Sequence, residues 1–408
     1  MPEVLNVPNP AHVEIPTMAN RIPGQAARPI RILHSVGHLL RGGIEMWLYQ
    51  MIRRLDQYEH HVLVRTRVEE PFTAGFRDIG VRVLPCLNYA NPPKYFANLR
   101  QVVQQNGPYD ILHVHGSNPN GLLALLFAKR LGIAATVIHS HNDLSPLLKS
   151  RGAAYKAYVW LTLQGIRRTA DQGFAVSALA AESMFGSSWK KDKRWSLLHC
   201  GINFDPFADS PDPDLRTKLG IPAGAFVVGH VGRFQEQKNH PFLVKIAQQA
   251  VRQSPDVHFL LIGDGELRPQ ITAEVQRLGL ERRVTFVPDT FSVPQFMLSA
   301  MDCYVFPSLY EGLPLVTVEA QAAGLPCVFS DRFTREAIVD PDLVTVLSLN
   351  DSPADWAAAL LRTRGHRVRD LRRHLQQFYA TEFNPARCAA SLSAAYQSLV
   401  ANSRTKHR

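Results

Sequence analysis

Cysteine is scarce in this chain. The five cysteines among 408 residues (Cys86, Cys200, Cys303, Cys327 and Cys388) are scattered, and no two form a Cys-x-x-Cys pair. That spacing argues against a disulfide scaffold or a zinc site and suits a reducing, cytoplasmic setting. Long apolar runs are absent too. The longest, such as Leu122–Ala128, have the length of a helix face, well short of the roughly 20 residues that cross a bilayer. Residues 1–24 are polar and proline-rich without the apolar centre of a signal peptide, so residues 1–28 read as a flexible extension. No Gly-x-Gly-x-x-Gly follows a strand, which removes the dinucleotide fingerprint. No aromatic-rich RNA-binding strand occurs either, and no nucleic acid partner is expected.

What the chain does have is length and alternation. It exceeds the usual size of one hydrophobic core, so two domains are expected. Short β-branched runs such as Ile30–Val36, Ile111–His115 and Ala135–His139 alternate with helical segments such as Gly42–Leu55 and Asn120–Leu131. After the proline- and aspartate-rich stretch Asp205–Asp214 a second series begins, with strands at Phe226–Val231, Val257–Ile262, Cys303–Phe306 and Cys327–Phe329. This alternation predicts an α/β fold of two Rossmann-like, doubly wound parallel-sheet domains across a cleft. The first covers 29–205 and the second 206–382. A closing helix within 383–402 is expected to cross back and complete the first domain.

The formal net charge is +10. The excess gathers in 149–195, where Lys149, Arg151, Lys156, Arg167, Arg168, Lys190, Lys191, Lys193 and Arg194 interleave with Tyr155, Tyr158, Trp160, Trp189 and Trp195. Basic and aromatic residues on a helix fit peripheral attachment to an anionic membrane surface, and equally fit a solvated helix face with core aromatics.

The most informative segment is Ser308–Asp331. Glu311 stands in a loop that follows a strand and runs into a helix; Glu319 stands one turn inside that helix. The N–H groups of Leu315, Val316 and Thr317 would face an anion between them. A loop carboxylate can accept hydroxyl hydrogen bonds from a sugar, and a helix carboxylate can hold a ribose diol. Gly232-Arg233 and Lys238 follow the second domain's first strand, where two cations can neutralise a diphosphate. Gly263-Asp-Gly265 and Gly42-Gly43 are further strand-to-helix turns that admit a ligand. His115, His139 and His141 fall at strand ends, and His141 is singled out as a hydrogen-bond donor or base. Asp212-Pro-Asp214 and Asp340-Pro-Asp342 match an Asp-x-Asp metal pattern, but both read as exposed proline turns, so no metal is assigned.

Glu311-Gly-Leu-Pro-Leu-Val-Thr-Val-Glu319-Ala-Gln-Ala-Ala-Gly-Leu-Pro resembles the signature of retaining glycosyltransferases of family 4, which have the GT-B fold. The resemblance extends from about Ile30 through Gly42-Gly43, His139-Ser-His-Asn142, Ala175-Val-Ser177, Gly201-Ile-Asn203, Gly232-Arg233 with Lys238, and Gly263-Asp-Gly265. It implies a nucleotide-sugar donor, most readily UDP-linked, and a glycan or lipid-linked acceptor bound by the first domain. It further implies catalytic roles for Arg233, Lys238, Glu311 and His141. Donor contacts fall to Gly42, Gly43, Gly232, Gly263, Gly265, Ser308, Leu315, Val316, Thr317 and Glu319, with no required cofactor or metal. Members that build bacterial exopolysaccharide or capsule look most similar. One departure is His199-Cys200-Gly201 in place of Pro-Asn-Gly. A GT-B epimerase and a non-catalytic nucleotide-sugar-binding subunit stay open as alternatives.

Overall fold

The computed structural model describes residues 28–406 apart from 41, 117–120, 146, 147, 149, 150, 291 and 333. The expected extension 1–27 and Lys149 of the basic cluster lie outside the described residues. Arg28, counted with the extension, belongs to the fold, because its guanidinium donates to both oxygens of Asp110 at 2.8 and 3.0 Å.

Seven strands make the first sheet: β1 (Arg31–Ser35), β2 (Glu59–Val64), β3 (Arg82–Pro85), β4 (Ile111–His115), β5 (Ala135–Ser140), β6 (Gln172–Ala175) and β7 (Trp195–Leu197). Six make the second: β8 (Phe226–Val231), β9 (Val257–Ile262), β10 (Val284–Val287), β11 (Cys303–Phe306), β12 (Cys327–Ser330) and β13 (Val344–Leu347). The orders are β3-β2-β1-β4-β5-β6-β7 and β10-β9-β8-β11-β12-β13. Every strand pairing is parallel. Parallel sheets carry helices on both faces and so bury their strands completely, as in β4, β5 and β9. In the second sheet alternate residues feed two cores. Val227, Leu260, Phe306 and Phe329 join one, and Val228, Leu261, Val305 and Val328 join the other.

Both sheets reverse their strand order at one point, between β1 and β4 and between β8 and β11. Ligands bind such sheets outside the carboxyl ends of the strands at that switch point, because the neighbouring crossovers diverge there and leave a crevice. The chain changes core between Cys200 and Ile202 on its way out, and between Phe383 and Cys388 on its way back. The returning helix Pro385–Lys406 buries Cys388, Leu392, Tyr396 and Val400 in the first core. Its Tyr396 hydroxyl lies 2.6 Å from His113 Nδ1. Among the described residues no helix is long and apolar enough to cross a membrane.

Candidate active site

The loops after β8 and β11 meet because those strands are neighbours. Lys238 ends a short turn, Glu236–Lys238, and donates from Nζ to Glu311 Oε1 at 2.6 Å. Its ammonium lies 4.7 Å from the centre of the Phe306 ring. Gln237 Nε2 donates to Glu311 Oε2 at 2.9 Å and to Tyr310 O at 3.0 Å. Asn239, held at φ 56°, donates from Nδ2 to Pro307 O at 3.1 Å and so keeps the two loops together. Glu311 is only 8% exposed, with both oxygens engaged. Desolvating such a pair largely cancels its Coulomb attraction, so it adds little to stability. Its position at the switch point gives it a chemical use.

Arg233 is half-buried, and its guanidinium makes no ion pair or hydrogen bond among the described residues. Glu319, in the helix Leu315–Ala322, reaches solvent only in part, and among the described residues no donor or cation pairs with its carboxylate; burial raises its pKa to about 7. Leu315 and Val316 occupy the first two positions of that helix, where N–H groups have no partner within the helix. Thr317, expected to join them, differs: its N–H and its hydroxyl both donate to Pro314 O, at 3.0 and 2.7 Å, so its donors are already used. Ser308 is fully enclosed; its carbonyl accepts from Ser330 Oγ at 2.7 Å and its own hydroxyl has no protein partner. Gly232, Gly263 and Gly265 let the β8 and β9 loops touch. A Cβ on Gly263, at φ 139°, would strike Gly232 O, and one on Gly265 would stand 2.6 Å from Phe234 O.

The first domain brings its own pieces to this crevice. Gly42 precedes the helix Gly43–Arg54; a Cβ there would collide with Glu45 Oε2 and stand 3.6 Å from Arg233 Nη2. Around Gly43 a Cβ would meet nothing within 4 Å. Burial raises the Glu45 pKa, and the Arg233 charge opposes the rise. A Cβ on Gly312 would lie 2.8 Å from His141 O and 2.9 Å from Asn142 Cα, so the loop carrying Glu311 abuts the end of β5. What His141 presents there is its backbone. Its ring is buried against Trp47, His115 and His139, and desolvation lowers its pKa to about 3.

Three contributors had no role assigned from the sequence: Gln237, Glu336, and Glu45, which closes the Gly42-Gly43-Ile-Glu45 turn. Glu336 joins the domains, accepting from Ala178 N at 3.0 Å through Oε1 and lying 3.0 Å from His199 Nε2 through Oε2. The unusual His199 therefore has an interdomain partner. Asp212 pairs with Lys218 Nζ at 2.8 Å, and Asp340 caps the turn Pro341–Leu343.

Comparison with known proteins bears on the family and the fold. Residues 42–194 match the family model described as a glycosyl transferase 4-like domain, and residues 225–364 the one described as glycosyl transferases group 1. EpsF of Bacillus subtilis (strain 168), named as a glycosyltransferase, is 32% identical over 340 residues, spanning 81% of this chain and 87% of that protein. The UDP-Gal:alpha-D-GlcNAc-diphosphoundecaprenol alpha-1,3-galactosyltransferase of Escherichia coli is 28% identical over 274 residues, or 64% of this chain and 67% of the relative. The crystal structure of Anabaena HepE in complex with UDP-glucose superposes with a TM-score of 0.69 at 20% identity, covering 92% of this chain and 100% of the other. With both domains matched and a relative aligned over most of its length, the chain belongs to the glycosyltransferases of the group 1 and 4-like families, with the two-domain GT-B fold.

Proposed function

We propose that the protein transfers a hexose, with retention of anomeric configuration, from a UDP-linked donor to a lipid-linked or glycan acceptor in the assembly of a cell-surface polysaccharide. The observation that carries the reading is the Glu311–Lys238 pair beside the unpaired Arg233 at the second switch point. The donor diphosphate lies against Arg233 and the N–H groups of Leu315 and Val316, with Lys238 shared between it and Glu311. As the bond to the anomeric carbon breaks, charge grows on the departing phosphate. Cations already in place stabilise that charge more than they stabilise the ground state. Glu311 accepts from hydroxyls of the transferred sugar and Glu319 from the ribose diol.

Retention fits a front-face route. Glu311 is engaged by Lys238 and Gln237 and is not free to attack as a nucleophile. The departing phosphate oxygen takes the acceptor hydroxyl's proton while that hydroxyl oxygen bonds to the anomeric carbon from the same face. The two cations supply the charge a divalent metal would otherwise bring, and no step is routed through a metal. His141 supplies backbone at the junction of the domains, and its neutral ring holds the end of β5 in place.

The donor assignment is supported by the Escherichia coli relative, named for UDP-Gal and a diphosphoundecaprenol acceptor, and by the UDP-glucose complex of HepE. A lipid-linked acceptor calls for a protein that works at a membrane surface. The helix Ala153–Thr169 has suitable residues, with Tyr158, Trp160 and Leu161 from 51 to 62% exposed beside exposed Lys156 and Arg168. Trp189 and Trp195 of the same basic region are buried, so the exposed aromatic residues of the proposed surface lie on this helix.

The test is transfer from UDP-sugars to a polyprenyl-diphosphate-linked sugar, with the product anomer read by NMR. The product should keep the donor's configuration. Glu311→Ala should lower turnover by roughly 10²–10³-fold with an unchanged circular dichroism spectrum. An inverted product, or wild-type turnover by that variant, would sink the reading.

A further inference from the structure

The first switch point holds an array of histidines outside the chemistry above. In a parallel sheet, residues two apart share a face, and register sets their neighbours. His34 on β1 is in register with His113 on β4, and His115 with His139 on β5; His141 follows two residues later. All five rings therefore fall on one face, at 7% exposure or less, with Trp47 edge-on to three of them.

The hydrogen bonds determine where the protons are. His60 Nε2 lies 2.9 Å from Leu55 O, a carbonyl that can only accept, so that nitrogen carries the hydrogen. A neutral imidazole carries one hydrogen, which leaves His60 Nδ1 bare. His34 Nε2, 3.0 Å from it, must then donate, which leaves His34 Nδ1 bare in turn. His115 Nε2, 3.0 Å from that atom, donates to it, and His115 Nδ1 is left as a lone pair. That lone pair points at His141 Nε2 across 3.4 Å.

A separation of 3.4 Å is long for an N–H···N hydrogen bond, but two ligands about 2.0–2.1 Å from one tetrahedral ion stand roughly that far apart. His139 is fully buried beside this pair, and among the described residues neither of its ring nitrogens has a hydrogen-bond partner of proper geometry. One nitrogen each from His115, His139 and His141 lies within 4.8 Å of the others. We propose that His115, His139 and His141 bind a divalent transition metal of the zinc class, in a structural site beneath Trp47. The relay His115–His34–His60–Leu55 O then supplies the outer hydrogen bonds that fix a metal-binding imidazole's tautomer. The neighbouring trio His34, His113 and His115 is disfavoured, because the hydrogen bond between His34 and His115 already occupies two of its nitrogens.

The site is closed to substrate and offers borderline-soft nitrogen ligands, which favour zinc, cobalt or nickel over magnesium. Its role is to pin the ends of β4 and β5, and with them the backbone at His141 that meets Gly312. The test uses the full-length chain without a histidine tag, produced in zinc- or cobalt-supplemented cells. Elemental analysis should find about one ion per chain, and the cobalt form should show visible d–d bands of a four- or five-coordinate site. His139→Gln should lose both, while His258→Gln, in the second domain, should keep both. If His139→Gln fails to fold, the wild-type metal content and cobalt spectrum decide alone. Metal-free wild-type protein, or metal retained in soluble His139→Gln, overturns the proposal.

Discussion

A carboxyl enclosed without a cation holds its proton longer than one in water, and Glu319 carries that effect into the proposed donor site. With its pKa near 7, it is a mixture of acid and carboxylate at neutral pH. Only the carboxylate accepts from both hydroxyls of a ribose diol, and those bonds in turn favour the charged form. Donor KM should therefore fall as pH rises from 6 to 8, and Glu319→Gln should flatten that profile while raising KM. Stability runs the other way. The folded pKa of about 7 exceeds the ordinary glutamate value of 4.5, so the contribution of Glu319 to stability is full below about 4.5 and is lost as pH rises through 7. Without donor, Glu319→Gln should melt above wild type at pH 8 and level with it at pH 4.5. An equal gap at both pH values, seen by differential scanning fluorimetry, would contradict this.

Elements differ in how plainly the sequence announces them. The strands at Ile111–His115, Val257–Ile262 and Cys303–Phe306 are apolar or β-branched runs, because both faces of a parallel sheet are buried, and their expected bounds match those found. β7, only Trp195–Leu197, is too short to show a period, and the helix Leu371–Tyr379 presents a narrow apolar stripe amid polar residues. At the candidate site, Arg233 and Lys238 were legible in the segment after β8, Glu311 in the loop after β11, and Glu319 one turn into the helix that follows. The Lys238–Glu311 contact was not, since it depends on β8 and β11 being neighbours. The histidine array shared that fate. His113-Val-His115 and His139-Ser-His141 each carry the two-residue period, but only register joins them. The basic region 149–195 reads as one cluster along the chain and separates on folding into buried tryptophans and one exposed helix face. That face yields a prediction that rests on the proposed acceptor. Trp160→Glu with Leu161→Glu should abolish co-sedimentation with vesicles containing phosphatidylglycerol, leaving Tm within about 2 °C because both residues are already in water. Unchanged sedimentation would remove the helix from that role.

At the scale of the whole molecule, two domains must move as one enzyme if the crevice is to close over both substrates. The chain crosses between them twice, with Ile202 N donating to Phe383 O at 2.8 Å where the crossings touch, and Gly312 rests on the end of β5. Glu336 is the polar strut among these contacts. Burial works against its charge, but the His199 ring and the Ala178 N–H outweigh burial and hold its pKa below the usual value. A depressed folded pKa contributes stability that is present above the unfolded value of 4.5 and is lost as pH falls through the folded one. Glu336→Gln keeps the shape but loses the charge, leaving His199 and the start of the helix Ala178–Phe185 with a weaker acceptor. The expected loss is about 1–3 kcal/mol, concentrated between the domains rather than inside either. Calorimetry should then show the single transition of the wild type broadening or splitting in the variant at pH 7, since each domain has a core of its own. Wild type should converge on the variant as pH falls through the depressed folded pKa of Glu336, where its carboxyl becomes neutral like the amide that replaces it. A variant trace that superimposes on wild type at pH 7 would mean that the crossings and the Gly312 contact couple the domains without Glu336.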